Sequence, residues 1–366
     1  MAKTSSMLSF GRAVGRHVYV LIGSIREPSD FGIPFPVSGK SGEIQHFCTA
    51  APHWAAATQK GKWIIVLDEL LCCPPAVQAG MLRLVAERYV GDLKLPDDVW
   101  LCALSNPSST ATNGFDLEPA LANRMVHLQW QMDWKAWDQG VSSSEFPSPS
   151  FPVMPKDWRK HRGQIGALVS AFRHHMPDLF SPRVDDNGEA MCDRSELATA
   201  WPSPRTWDKG VDCLAGAAAV DAPREVRDQL LRGCVGHSAN AFLEWEDQLD
   251  LPDPSILIDR VVAARADGVD IPYTHPRRVD KVLAMLYSLA HEVCGDTSDA
   301  NRYCAPRWEA AMCLFAAAAD HGAADVMLAS VNKMLRGAGG KAMMPKGAKV
   351  PEEFKKYYPM IAECLS

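Results

Sequence analysis

The stretch Trp63–Glu69, WIIVLDE, decides how this chain folds. Its first five residues are apolar and three of them are β-branched, which suits a strand. A strand with no polar alternation has both faces buried. The run then stops abruptly at two acids, Asp68 and Glu69. Working outward, HVYVLIGS (His17–Ser24) and VWLCALSNP (Val99–Pro107) are apolar runs of the same kind, and MVHLQW from Met125 predicts a last strand. Helical stretches lie among them, at Thr4–Arg16, in APHWAAATQKGK and in PPAVQAGMLRLVAERYV. The last is opened by Pro75 and carries Val77, Met81, Leu84 and Val85 on one face. Alternating helices and strands predict an α/β fold, a parallel sheet covered by helices on both faces.

With 366 residues, 47% hydrophobic and 22% charged, the chain is long enough for two or three domains with real cores. A net charge of -6 argues against a broad electrostatic footprint for nucleic acid or anionic lipid. No apolar run approaches the roughly 20 residues of a membrane helix, so no membrane partner and a cytoplasmic location are expected. The eleven cysteines are scattered, with Cys72-Cys73 the only close pair and no zinc spacing. They read as small buried hydrophobes.

The carboxylates carry the chemistry. In open α/β sheets ligands bind at the C-terminal ends of strands, which is where Asp68 and Glu69 stand. A hydrophobic strand ending in Asp-Glu is the Walker B pattern. There the aspartate orients Mg²⁺ and the glutamate polarises the water that attacks a γ-phosphate. A strand running into a solvated loop ends the same way. The next strand ends at Asn106, placed to orient the same water, although Asn-Pro is also a common turn starter. Arg124, in EPALANRMVHL, is placed either to reach a neighbouring subunit's nucleotide or to form a surface ion pair. Arg205, in WPSPRTW, opens a helix, where a solvated first-turn residue is the plain alternative. At the start of the chain, AKTS resembles the end of a phosphate-binding loop, with Lys3 and Thr4 as its Lys-Thr pair.

Taken together these residues resemble the AAA+ ATPases, and in particular their MoxR-like branch. The resemblance runs from Met1 to about His237 and is most specific in SIREPSDFG, VLDELLCCPPAVQAGMLRLVAER, ALSNP, LEPALANRMVHL and SPRTW. It implies a P-loop NTPase sheet sandwiched by helices, followed by a helical lid and further C-terminal helices. ATP and Mg²⁺ are the implied cofactors. Lys3, with Ala2 and Ser5 beside it, would bind phosphate, and Thr4 and Asp68 would bind the metal. Glu69 would activate water, with Asn106 as sensor 1, Arg124 as arginine finger and Arg205 as sensor 2. Arg26–Phe47 would carry the helix-2 insert, and Pro74, Pro75 and Gln78 match the Pro-Pro and Gln-containing helix that follows the acids.

The resemblance further implies a homo-oligomeric ring, a hexamer, that remodels a client protein, often one with a von Willebrand A-type domain. Ala2 stands where the family has glycine, and the earlier loop glycines and the strand before them are absent. The expectation is therefore an N-terminally shortened chain, and a catalytically impaired scaffold or truncated remnant is the alternative function. A DNA-directed motor is a third, disfavoured by the charge. The expected domains are a nucleotide-binding core at 1–132, a linker at 133–157, rich in Ser, Pro and Phe, a helical lid at 158–250 and a C-terminal helical region at 251–366.

Overall fold

The computed structural model describes residues 3–39, 43–107, 114–143, 146, 151–182, 193–295, 297–335 and 344–365. The chain divides into two compact units, Met1–Val153 with Val184–Trp201, and Met154–Arg183 with Pro202–Ser366.

The first unit opens with α1 (Lys3–Ala13) and β1 (His17–Ile22). An antiparallel hairpin follows, β2 (Ile33–Ser38) and β3 (Ile44–Ala50), within the segment whose Gly and Pro content predicts a long loop. It exposes Ile33, Phe35, Ile44 and Phe47. After α2 (His53–Ala57) comes β4 (Trp63–Asp68), then α3 (Pro75–Glu87), a two-residue pair β5 (Tyr89–Val90) and β6 (Leu93–Lys94), β7 (Trp100–Ala103), α4 (Pro119–Ala122) and α5 (Trp134–Ser143). The main sheet has the order β1-β4-β7 and is parallel throughout, with Ile22 paired to Asp68 and Leu67 to Ala103. Ile64, Ile65, Val66 and Leu67 are all buried, as the unbroken apolar run requires. Helix α3 sinks Val77, Met81 and Leu84 into the same core, while Val85 is half-buried.

Two expectations need correction. Residues 125–130 form no strand: among the described strands they pair with neither edge of the β1-β4-β7 sheet, and Leu128 and Trp130 are exposed. The Ser/Pro-rich stretch that reads as a linker contains α5, with Trp134 and Trp137 in edge-to-face contact on one face.

The second unit is helical: α6 (Arg162–His175), then, after α7 (Arg194–Leu197) of the first unit, α8 (Pro204–Ala219), α9 (Arg224–Val235), α10 (Ser238–Asp247), α11 (Pro254–Asp267), α12 (Val279–Cys294), α13 (Ala305–Ala318), α14 (Ala324–Leu335), α15 (Glu352–Lys355) and α16 (Tyr358–Leu365). Phe172, Phe180, Trp207, Phe242 and Trp245 interlock at ring separations of 4.5–6.0 Å. A larger core joins α11, α12, α13 and α14 around Leu286, Trp308 and Phe315. The stretch Ala305–Leu328 is long and apolar enough to cross a bilayer, but more than half of it is buried within this core and it kinks at Gly322, so it reads as a core element.

Buried Asp280 staples the aromatic cluster to α12. It accepts a 2.6 Å hydrogen bond from Trp245 Nε1 and is gripped by the Arg278 guanidinium, with Nε 3.1 Å from Oδ1. Burial opposes its ionisation, but the hydrogen bonds from Arg278 and Trp245 outweigh this and hold its carboxyl below the ordinary 3.8. A depressed folded-state pKa means stability that is present above about pH 4 and lost as pH falls through the folded value. Asp280→Asn is expected to cost about 1.5–3 kcal/mol at neutral pH, the scale of a charge-assisted hydrogen bond. It should also flatten the acid limb of stability against pH, as read by chemical denaturation between pH 3 and 7.

Candidate active site at the C-terminal edge of the sheet

Three pieces of chain meet where β4 ends. The first is the start of α1. Lys3 and Thr4 occupy its first turn, where unpaired backbone N–H groups and the helix dipole favour an anion. The second is the pair of acids ending β4, with Asp68 half-buried and Glu69 exposed. The third is the segment beyond β7. Thr4 Oγ1 donates to Asp68 Oδ2 at 2.6 Å, across 64 positions of sequence. Lys3 Nζ donates to Asn106 Oδ1 at 2.9 Å and also to the Ser105 carbonyl. Lys3, Thr4, Asp68 and Asn106 are thus one hydrogen-bonded group, with Glu69 adjoining.

Glu69 is held in an unusual pose. Its φ of 56° lies in the left-handed region, which costs a residue with a Cβ roughly 1–2 kcal/mol. Its amide donates to Asp68 Oδ1 at 2.9 Å, which turns the chain out of the strand and sends the Glu69 side chain to Ser24, whose hydroxyl donates to Oε2. Strain held this way collects at functional sites. The neighbouring Gly23 packs closely here: a Cβ there would lie 2.1 Å from Cys73 Sγ and 3.2 Å from the Asp68 carbonyl, so a larger residue would displace the Cys73 side chain. Burial, helped by Cys72 and Glu69, pushes the Cys73 thiol up to about 11, and burial with the Asp68 charge raises Cys102. Both thiols therefore stay protonated at neutral pH, and neither offers a thiolate nucleophile.

Gln78 braces this edge from inside. Fully buried on α3, it donates through Nε2 to the carbonyls of Cys73 and Asp116, both at 3.2 Å, and accepts at Oε1 from the Glu118 amide at 2.9 Å. One side chain therefore ties the turn after the acids to the segment leading into α4. Gln78→Ala removes all three bonds and leaves the buried Cys73 carbonyl without this partner, at about 1–3 kcal/mol, with smaller losses at the part-buried Asp116 and Glu118 bonds. A loss of at least 2 kcal/mol in chemical denaturation is expected.

The two arginines stand on other elements. Arg124, just past α4 and half-buried, donates to the Ala120 carbonyl at 2.7 Å. Arg205 is exposed in the first turn of α8 in the second unit, beside the capping pair Ser203 and Thr206. Ser5 is exposed in the first turn of α1, and Ala2 lies outside the described residues. Two contributors have no local signature in the sequence. Ser24 and Ser105 are single serines in loops, and Ser105 also accepts the Leu71 amide at 3.1 Å. The bridging role of Gln78 appears only once the chain is folded.

The donor set has the chemistry of a hard cation. Thr4 and Asp68 present a hydroxyl and a carboxylate within 2.6 Å of each other and no sulfur or imidazole. Among the described residues, no three His, Cys, Asp or Glu side chains gather to hold a metal by themselves. This suits Mg²⁺, which is usually held by one or two carboxylates together with substrate phosphates. Comparison with known proteins gives no matching family model and no matching curated protein. Among solved structures, a candidate ATPase of Cytophaga hutchinsonii is similar over 65% of this chain and 74% of that one, at 16% identity and a TM-score of 0.40.

Proposed function

We propose that this chain is an ATP-binding and ATP-hydrolysing protein of the MoxR-like AAA+ kind. The observation that carries the reading is the meeting of Lys3 and Thr4, at a helix start, with Asp68 and Glu69 at the end of the central strand and Asn106 beyond the next one. Lys3 would hold the β- and γ-phosphates of the nucleotide, and Thr4 and Asp68 would hold Mg²⁺. The bound ion neutralises charge that develops on the phosphate oxygens. Glu69 accepts a proton from the attacking water, and Asn106 orients that water. The Ser24 hydroxyl holds Glu69 back from this task until the bond is released. On the resemblance, the reading extends to a homo-oligomeric ring, a hexamer, in which Arg124 reaches the neighbour's nucleotide and Arg205 couples nucleotide state to the helical unit. The same resemblance supports work on a client protein, with a von Willebrand A-type partner as the first to try.

The test is a titration with a fluorescent ATP analogue, with and without Mg²⁺, beside an assay of phosphate release. Asp68→Ala is expected to remove the Mg²⁺-dependent part of both, and Mg²⁺-dependent hydrolysis that survives this change would overturn the assignment. A second reading, a nucleotide-dependent scaffold without turnover, draws on the Lys3–Asn106 hydrogen bond, which engages both the phosphate-binding cation and the water-orienting amide. Binding with no phosphate release would favour it.

A further inference from the structure

Helices α8 and α9 run antiparallel, joined by residues 220–223, and they meet tightly at Gly210. A Cβ there would lie 3.1 Å from Leu231 Cδ1 and 3.7 Å from Cys234 Cβ. One turn further along α8 stands Cys213, and its Sγ is 3.9 Å from Cys234 Sγ. Cys234 is buried and Cys213 is half-buried, so Cys213 is the residue of the pair nearer to solvent. The two lie 21 positions apart, so the scatter of cysteines along the chain gives no sign of the pairing. We propose that Cys213 and Cys234 are a redox pair, which a hydroperoxide converts to a disulfide linking α8 to α9.

The chemistry closes without a further reagent. The Cys213 thiolate attacks one peroxide oxygen; an S–O bond forms, the O–O bond breaks, and the departing alkoxide or hydroxide takes up the proton that Cys213 gave to solvent. The Cys234 sulfur then attacks the sulfenic sulfur of Cys213. An S–S bond forms, the S–O bond breaks, and the hydroxyl leaves as water with the Cys234 proton. Two thiols and one hydroperoxide become one disulfide, one alcohol or water, and one water. The two electrons come from the sulfurs and reduce the peroxide.

The surroundings assign the two roles. The hydrogen bond from Cys234 holds the Cys213 thiol below its ordinary value against burial, the Lys209 charge adds to this, and Asp212 opposes it. The same hydrogen bond, with burial, raises Cys234. The thiolate that attacks is therefore Cys213, and Cys234 resolves the intermediate. Shortening the sulfur separation to a bond of about 2.05 Å needs a movement of roughly 2 Å, within reach of side-chain rotation and a small helix shift. The bridge would fasten α8, whose first turn carries Arg205, to its neighbour. It does not depend on the nucleotide reading.

Trypsin separates the two sulfurs cleanly, because Gly210–Arg224 contains Cys213 alone and Gly233–Arg260 contains Cys234 alone. The reduced full-length chain is treated with stoichiometric hydrogen peroxide, its remaining thiols are alkylated, and the unreduced digest is read by mass spectrometry. The expected product is these two peptides joined, lighter by two hydrogens than their sum, and released by a thiol reductant. In Cys234→Ala the joined peptide should vanish, and a sulfenic-acid trap should label Cys213. A native chain in which peroxide leaves Cys213 unreacted, carries it to sulfinic acid, or joins it to another cysteine would overturn the proposal. So would an equal yield of the joined peptide from the chain unfolded in guanidinium, because proximity in the fold would then play no part.

Discussion

Replacing Glu69 with Gln is expected to leave ATP bound and to slow its hydrolysis by roughly 10²- to 10⁴-fold, the usual worth of a positioned general base. The amide matches the carboxylate in shape and still accepts the Ser24 hydroxyl through its carbonyl oxygen, so the turn that carries it should keep its left-handed geometry. Asp68, with Thr4 beside it, is untouched by the change, so affinity for the magnesium nucleotide should stay within a few-fold of the parent chain. Binding and turnover therefore separate in this one variant. Steady-state hydrolysis equal to that of the parent would remove Glu69 from the role of base, and lost binding would give it a structural role instead.

Arg124→Ala is expected to have the larger effect, about 10³- to 10⁵-fold in rate, the range found for arginines that stabilise a transferring phosphoryl group. Within its own chain Arg124 donates to the Ala120 carbonyl of α4 at 2.7 Å, and the reading has it act on a neighbouring copy. Mixing tests this directly. Arg124→Ala chains and Glu69→Gln chains, each nearly inactive alone, should recover part of the activity together, since some interfaces would then combine an intact Glu69 with an intact Arg124. No recovery, with subunit exchange shown by differently labelled chains, would make Arg124 a capping residue of α4.

The elements that hold the candidate site were the most legible in the sequence. β1, β4 and β7 are short apolar runs, and α3 follows a Pro-Pro with its apolar residues at helical spacing; local pattern and tertiary burial agree for β4 and α3, whereas the flanking strands β1 and β7 leave Ile22 and Trp100 exposed. MVHLQW has the same local pattern, yet strand formation depends on a neighbour's backbone, which no residue inside the run reports. Helix α5 was hidden by the serines and prolines around it. Helix α11 lies in the stretch expected to be helical and carries its own boundary signals: Asp253 caps it, Pro254 begins it, and Gly268 closes it at a φ of 66°. The first unit also reclaims residues up to Trp201 after the chain has entered the second, a return that no change in composition marks. In the site itself the acids, the lysine and the asparagine were visible by type and position. Ser24, Ser105 and the span of Gln78 were not, because each acts on a group many residues away.

The hairpin β2–β3 displays Phe35 and Phe47 to solvent, each more than 60% exposed, on a two-stranded ribbon with an open outer edge. Such a ribbon is ordinarily a template for edge-to-edge aggregation. Strand β2 reads Ile-Pro-Phe-Pro-Val-Ser, and a proline keeps its place in a ladder only where its missing N–H faces away from the partner strand. Pro34 and Pro36 therefore remove two donors from the free side of β2 and leave only their carbonyl acceptors at those positions. The hairpin thus shows apolar side chains beside an edge that has lost half of its bonding pattern at two positions, which makes β2 a poorer template for an incoming strand than its side chains alone would suggest.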